Sequence, residues 1–275
     1  MTARLPNDLH KDTVENIKKF FIYAVWGVLF FIFGCATTHE LSFHPQEGEK
    51  SYMKAAFHMK TETYENNKLL ETEAHHLSFG ILSKIKKSEI NGKIVLQKKV
   101  IEKKGDYSLR QLGFPELGEQ IEFTLDARGQ VLHVKNEEPG TIFYLPFFIF
   151  PKTKVAIGEK WQEEFQWNML HHPFTVVTQV NSQFANIEKY KEIDCYKITF
   201  ATTSKTLPQS DTVKFDNSSS GYYLWDSQKN HILYAETHFL DTLTLNTGKN
   251  IVTRSEFVLE EKPPQHDKEQ KNSTH

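Results

Sequence analysis

The chain predicts a mainly β protein, with antiparallel meanders forming one or two curved sheets of the half-barrel or open-barrel kind. Three observations carry this expectation. Trp161-Gln162-Glu163-Glu164-Phe165-Gln166-Trp167-Asn168-Met169 alternates mostly apolar with polar residues, the period-two signature of a strand wetted on one face. Aromatic residues make up 13% of the sequence, alongside abundant Thr, Ile and Val, a mixture that suits pleated surfaces. No stretch after residue 50 carries a long stripe of period 3.6.

The N-terminus differs from the rest. Phe20 to Gly34 is an uncharged, mostly apolar run of 15 residues, preceded by Lys18-Lys19. As a helix at ~1.5 Å per residue it reaches roughly 22 Å, short of the ~30 Å hydrocarbon core. That length suits the apolar region of an export signal, a signal helix over 1–34. The run ends in Ile32-Phe33-Gly34-Cys35, which resembles the lipobox of bacterial lipoproteins. The resemblance implies cleavage between Gly34 and Cys35 and acylation of Cys35, with small Gly34 admitting the peptidase and the thiol accepting lipid. Membrane contact through acyl chains on Cys35 follows, because two or more chains anchor firmly where one does not. Ala36 in place of Asp implies the outer membrane, with the protein facing the periplasm. The alternative is an uncleaved anchor that leaves the chain membrane-bound.

Residues 35–50 read as a lipidated tether. A first β-meander region follows at 51–137. Within it, Asn91-Gly92 marks a hairpin between Ile85–Ile90 and Lys93–Val100, since Asn-Gly supplies positive φ angles. Glu122–Leu125, Asp126-Ala127-Arg128-Gly129 and Val131–Val134 form another hairpin. An apolar linker spans 138–158, and a second β-meander region spans 159–260. Tyr223-Leu224-Trp225-Asp226 before Ile232-Leu233 echoes Phe123-Thr124-Leu125-Asp126 before Val131-Leu132, which admits duplication or chance. Residues 261–275 are polar and Pro-containing, the composition of a disordered tail. Phe123–Val131 and Val155-Ala156-Ile157-Gly158-Glu159-Lys160-Trp161 loosely resemble uncharacterised all-β bacterial lipoproteins of unknown function, a resemblance that implies no catalytic residues.

Composition narrows the function. The 33 basic and 35 acidic residues give a net charge of −2, so no global field recruits nucleic acid. Cys35 and Cys195 are the only cysteines, which excludes a disulfide framework, and Cys195 reads as a small buried hydrophobe. Of the 13 histidines, His75-His76 and His171-His172 are adjacent, and neighbours on a strand point to opposite faces. His39 and His44 fall in the tether, while His133, His231 and His238 are scattered over strands. No metal site and no cofactor are expected. Ser51-Tyr52-Met53-Lys54 matches Ser-x-x-Lys without the partner motifs of serine acyl enzymes, and Glu163-Glu164 face opposite ways. No catalytic residue is assigned.

One stretch invites a binding role. Thr141–Pro151 holds five aromatic side chains, Phe143, Tyr144, Phe147, Phe148 and Phe150, and Pro146 and Pro151 prevent a regular ladder. It reads either as rings that plug the core between two β halves or as a lip for hydrophobic contact. The expected function is a non-enzymatic, lipid-anchored envelope protein that binds a hydrophobic ligand or a protein partner. The alternative is a structural or assembly lipoprotein that docks a larger envelope complex.

Overall fold

The computed structural model describes residues 37–89, 92–168, 175–207 and 213–263. Gly34, Cys35, the expected signal helix, and His171 and His172 lie outside the described residues, as does the tail from residue 264. Residues Met1–Thr38 and His39–His275 separate as two units, and the sheet belongs to the second. The strands among the described residues are β1 (Thr38–His39), β2 (Lys50–Glu65), β3 (Lys68–Ser88), β4 (Ile94–Lys104), β5 (Gln120–Leu125), β6 (Val131–Val134) and β7 (Val155–Ala156). They continue with β8 (Lys160–Asn168), β9 (Thr175–Tyr190), β10 (Ile193–Leu207), β11 (Val213–Asp226), β12 (His231–Leu245) and β13 (Lys249–Lys262).

Eleven strands form one antiparallel sheet in the order β6-β5-β4-β3-β2-β13-β12-β11-β10-β9-β8. The sheet is open, with β6 and β8 at its edges. The last strand, β13, returns to pair with β2 along the register Lys249↔Glu65 to Lys262↔Tyr52. That single pairing joins the two meander regions. Tight turns follow from local chemistry. Asn66 and Asn67 at φ 50° and 64° make the β2–β3 turn, and Lys191 and Glu192 do the same between β9 and β10. Asp126 and Asp226 each accept two backbone N–H groups at the start of their turns, so the two echoing hairpins are capped alike.

The alternation of each strand sends one face inward. Along that face, Ile94, Leu96, Phe123 and Val134 from β4–β6 share one apolar cluster with Phe184, Ile198, Tyr223 and Trp225 from β9–β11. Those strands lie at opposite ends of the sheet order, so something must span the gap. The span is made by residues 141–150 and by the segment entering β2. Phe148 packs its ring against Phe43, Phe150 and Trp225, at centroid distances of 5.3, 5.2 and 5.0 Å. Phe43 was expected in the tether, yet Leu41, Phe43 and Pro45 alternate inward and are buried. The alternation Leu-x-Phe-x-Pro is the physical reason, because it gives even this short stretch one apolar side.

Polar bonds tie the same segment to both edges. The Phe150 N–H donates to the Arg128 carbonyl, and Arg128 Nε donates back to the Phe150 carbonyl, both at 2.9 Å. Arg128, in the β5–β6 turn, also pairs with Glu163 of β8. Trp161 Nε1 of β8 donates to the Ile149 carbonyl at 2.9 Å. Gly129 beside Arg128 has φ +87°, and a Cβ there would run into the Phe148 ring. Glycine is needed twice over at that position.

His231 at the start of β12 makes a second tie. Its ring stands 3.6 Å from Glu49 and 3.2 Å from Glu261. Burial disfavours the imidazolium, but Glu261, Asp226 and Glu49 outweigh it and raise the pKa above the ordinary 6.5.

Two outcomes are expected in urea unfolding. Phe150→Ala removes a fully buried ring and lowers stability by about 3–5 kcal/mol, whereas Phe147→Ser loses roughly 1–2 kcal/mol because that ring is 40% exposed. His231 binds its proton more tightly in the folded chain. Its stabilisation is therefore complete below the unfolded value of ~6.5 and fades as pH rises through the raised folded value. The stability gap between wild type and His231→Gln should shrink between pH 6 and pH 8.5, and a gap constant with pH would contradict the assignment.

Candidate functional site

The five aromatic residues singled out in 141–151 divide by environment. Phe143 and Phe150 are 2% and 0% exposed, inside the main apolar cluster. Tyr144 and Phe148 are partly buried against it, and the Tyr144 hydroxyl accepts the Val134 N–H at 3.2 Å. Only Phe147 is exposed, at 40%, although its ring still packs against Phe114 and Phe123 at centroid distances of 5.4 and 6.3 Å. Lys98 of β4 lies over the Phe147 ring, with Nζ 3.1 Å from its centroid, and 5.5 Å from that of Phe123. No carboxylate pairs with this amine among the described residues, and burial pushes its pKa down to about 7. The ring face offers the ammonium a partial substitute for water.

A groove lies on the other face of the sheet. It encloses about 850 Å³ and crosses β3, β2, β13, β12, β11 and β10. Its floor consists of two neighbouring cross-strand rows. One row reads His76, His58, Glu256, His238, Ser220, Ala201. The next reads Ala74, Lys60, Arg254, Leu240, Ser218, Thr203. Small side chains on β11 and β10, and Ala74 on β3, leave room above the backbone, while the ring and charged side chains stand on β3, β2, β13 and β12. Lys60 and Arg254 both donate to Glu62, at 2.6 and 2.8 Å. The hydrogen bond from Lys60, then those from Tyr64 and Arg254, hold the Glu62 carboxyl down to about 2. The cations of the groove are thus largely neutralised at its rim.

The sheet behind the groove is stiffened from the inner face. Trp167 Nε1 donates to Thr178, Thr178 bonds Ser204 at 2.8 Å, and Ser204 donates to Asn217, whose amide reaches Asp241. This chain runs across β8 to β12 at one level. Burial raises the Asp241 pKa against the hydrogen bond from Asn217. Thr202 and Ser219 add a parallel link at 2.6 Å. Small hydroxyl side chains here let the strands pack closely with their polar atoms paired.

Histidines carry what the sequence left unseen. His75 and His76 do face apart, but His76 meets His58 across the β2–β3 pair, Nδ1 to Nδ1 at 2.6 Å. The signal was the Asn66-Asn67 turn, from which register can be counted outward. A bulge between Thr63 and Tyr64 shifts that count by one and selects His76 over His75. Among the described residues, no three His, Cys, Asp or Glu side chains already converge on one point. Cys195 is free and buried, and burial pushes its thiol up to about 11, as expected of a packing residue. Glu163 faces inward to Arg128 while Glu164 is exposed. Among the described residues no helix is long and apolar enough to cross a membrane.

No known protein family and no curated protein matches the chain. Among the solved structures that match are the following two. DynF from the dynemicin biosynthesis pathway of Micromonospora chersina shares 9% identity over 84% of this chain and 88% of its own, with a TM-score of 0.26. The hypothetical lipoprotein YmcC from Escherichia coli shares 10% identity over 74% of this chain and 86% of its own, with a TM-score of 0.27. Likeness at this level carries no argument about function.

Lys98 provides a test of the inner face. Its folded pKa of about 7 lies below the ~10.4 of an unfolded lysine, so the unfolded chain binds more protons between those values. Lys98 therefore weakens the fold most at and below pH 7, and less as pH rises toward 10. Lys98→Met should be at least as stable as wild type at pH 7, with its advantage shrinking by pH 9.5. Unfolding in urea at both pH values reads this, and a variant less stable at pH 7 would contradict it.

Proposed function

We propose that the chain is a bacterial cell-envelope lipoprotein, anchored through acyl chains on Cys35, whose β domain docks a protein partner. The lipobox-like Ile32-Phe33-Gly34-Cys35 supports the anchor, and the outer membrane is the expected site because Ala36 follows the cysteine. One observation favours a docked protein over a sheltered acyl chain. The inner face, which a lipid carrier would leave open, is filled by the chain's own rings, with Phe150 and Trp225 at 0% and 2% exposure. The outer groove offers paired charges, hydroxyls and a few apolar contacts, a mixture typical of protein interfaces. Catalysis is not part of this reading.

Intact-mass analysis of the membrane-extracted protein should give a chain that begins at Cys35 and carries acyl mass. Cys35→Ser should leave the protein uncleaved or released from the outer membrane. A mature chain that begins before Cys35 without added mass would overturn the anchor. Stoichiometric lipid released from the delipidated domain by solvent extraction would overturn the docking reading in favour of a hydrophobic ligand.

A further inference from the structure

The β3–β2–β13 side of the groove floor holds groups that serve neither the core nor the rim. His58 and His76 occupy directly paired positions on β2 and β3, their rings 4.8 Å apart between centroids and inclined at 71°. Both side chains are exposed on the same face, with Nδ1 atoms in contact. Glu256 on β13 stands directly opposite His58 on its other side, and His238 on β12 stands opposite Glu256. Directly opposed strand residues have Cβ atoms about 4.5–5.5 Å apart, so register alone sets these side chains next to one another without any local sequence motif. Arg254, two positions away on the same strand face, is committed to Glu62. Among the described residues Glu256 itself has no hydrogen-bond or ion-pair partner.

We infer that His58, His76 and Glu256 form a binding site for a divalent transition cation of the Zn²⁺ class on the groove floor. Two imidazole nitrogens in contact either share a proton or offer both lone pairs to one cation. Zn–N bonds of ~2.0–2.1 Å at a tetrahedral angle need nitrogens roughly 3.3 Å apart. The exposed rings reach that separation by opening about 0.7 Å, a small side-chain rotation that leaves the paired backbones in place. Glu256 swings toward His58 to supply the third ligand, and water completes the shell. Imidazole with one carboxylate suits Zn²⁺, Ni²⁺ and Cu²⁺, and disfavours Mg²⁺ and Ca²⁺, which prefer sets made of oxygen alone. The cation would bridge β3, β2 and β13, the seam where the last strand returns to the first meander. This site does not depend on whether the groove docks a partner, and it can be read on the purified protein alone.

The test is calorimetric titration of ZnCl₂ into the full-length, detergent-extracted protein, with MgCl₂ as the control. Wild type should bind one Zn²⁺ saturably and give no Mg²⁺ signal, and added Zn²⁺ should raise its thermal midpoint. His58→Ala and His76→Ala should each weaken Zn²⁺ binding by about tenfold or more, with a smaller loss in Glu256→Gln. The double variant H58Q/H76Q keeps polar side chains of similar reach and guards against loss of fold, and it should lose the site. Absence of saturable Zn²⁺ binding in wild type would overturn the inference. So would unchanged affinity in the folded double variant, which would place the metal on other histidines.

Discussion

The structure depends on how an open sheet of eleven strands covers its own inner face. Such a sheet has two unpaired edges and one apolar surface, and neither can be left to water. Residues 141–150 meet both needs. Their rings fill the space between β4–β6 and β9–β11, and their carbonyls and amides engage Arg128 on one edge and Trp161 on the other. The segment is thus wedge and clasp in one. Phe148 touches Phe43, Phe150 and Trp225 together, so elements distant in sequence share a single ring cluster.

This arrangement sets what each face can do. With the inner face occupied, accessible chemistry moves to the opposite side, where the strands run on and present side chains in registered rows. The groove there is organised by register alone. His58 and His76 meet because the β2–β3 turn and its bulge place them opposite each other. Glu256 joins them because β13 pairs with β2. The inner-face chain from Trp167 to Asp241 holds the same strands from behind, which stiffens the sheet beneath the groove.

Much of the fold was legible in the sequence because strands declare themselves locally. Trp161–Asn168 alternates as its burial does, and the Asp126–Gly129 hairpin forms where its turn residues require. The single sheet was not legible, because the β13–β2 pairing joins residues about as far apart as the domain allows and leaves no local trace. The tether hid Leu41 and Phe43, whose alternation is too short to stand out. The aromatic stretch 141–151 was visible as important but ambiguous, since composition does not say which way rings point. The histidine row was invisible for a related reason: adjacency in sequence argues against chelation, and only cross-strand register creates it. The expected lipidation point is the reverse case, read from Gly34-Cys35 in the sequence and lying outside the described residues.

Native-state hydrogen exchange tests the wedge-and-clasp account most directly. The amide of Phe150 donates to Arg128 and that of Phe43 donates to Ala127, both from segments without regular secondary structure. If these segments hold the sheet together, both amides exchange only through global unfolding, at the same free energy as the β2 and β13 amides. Exchange at loop rates, with the central strands still protected, would make 141–151 a loose lip and contradict the account.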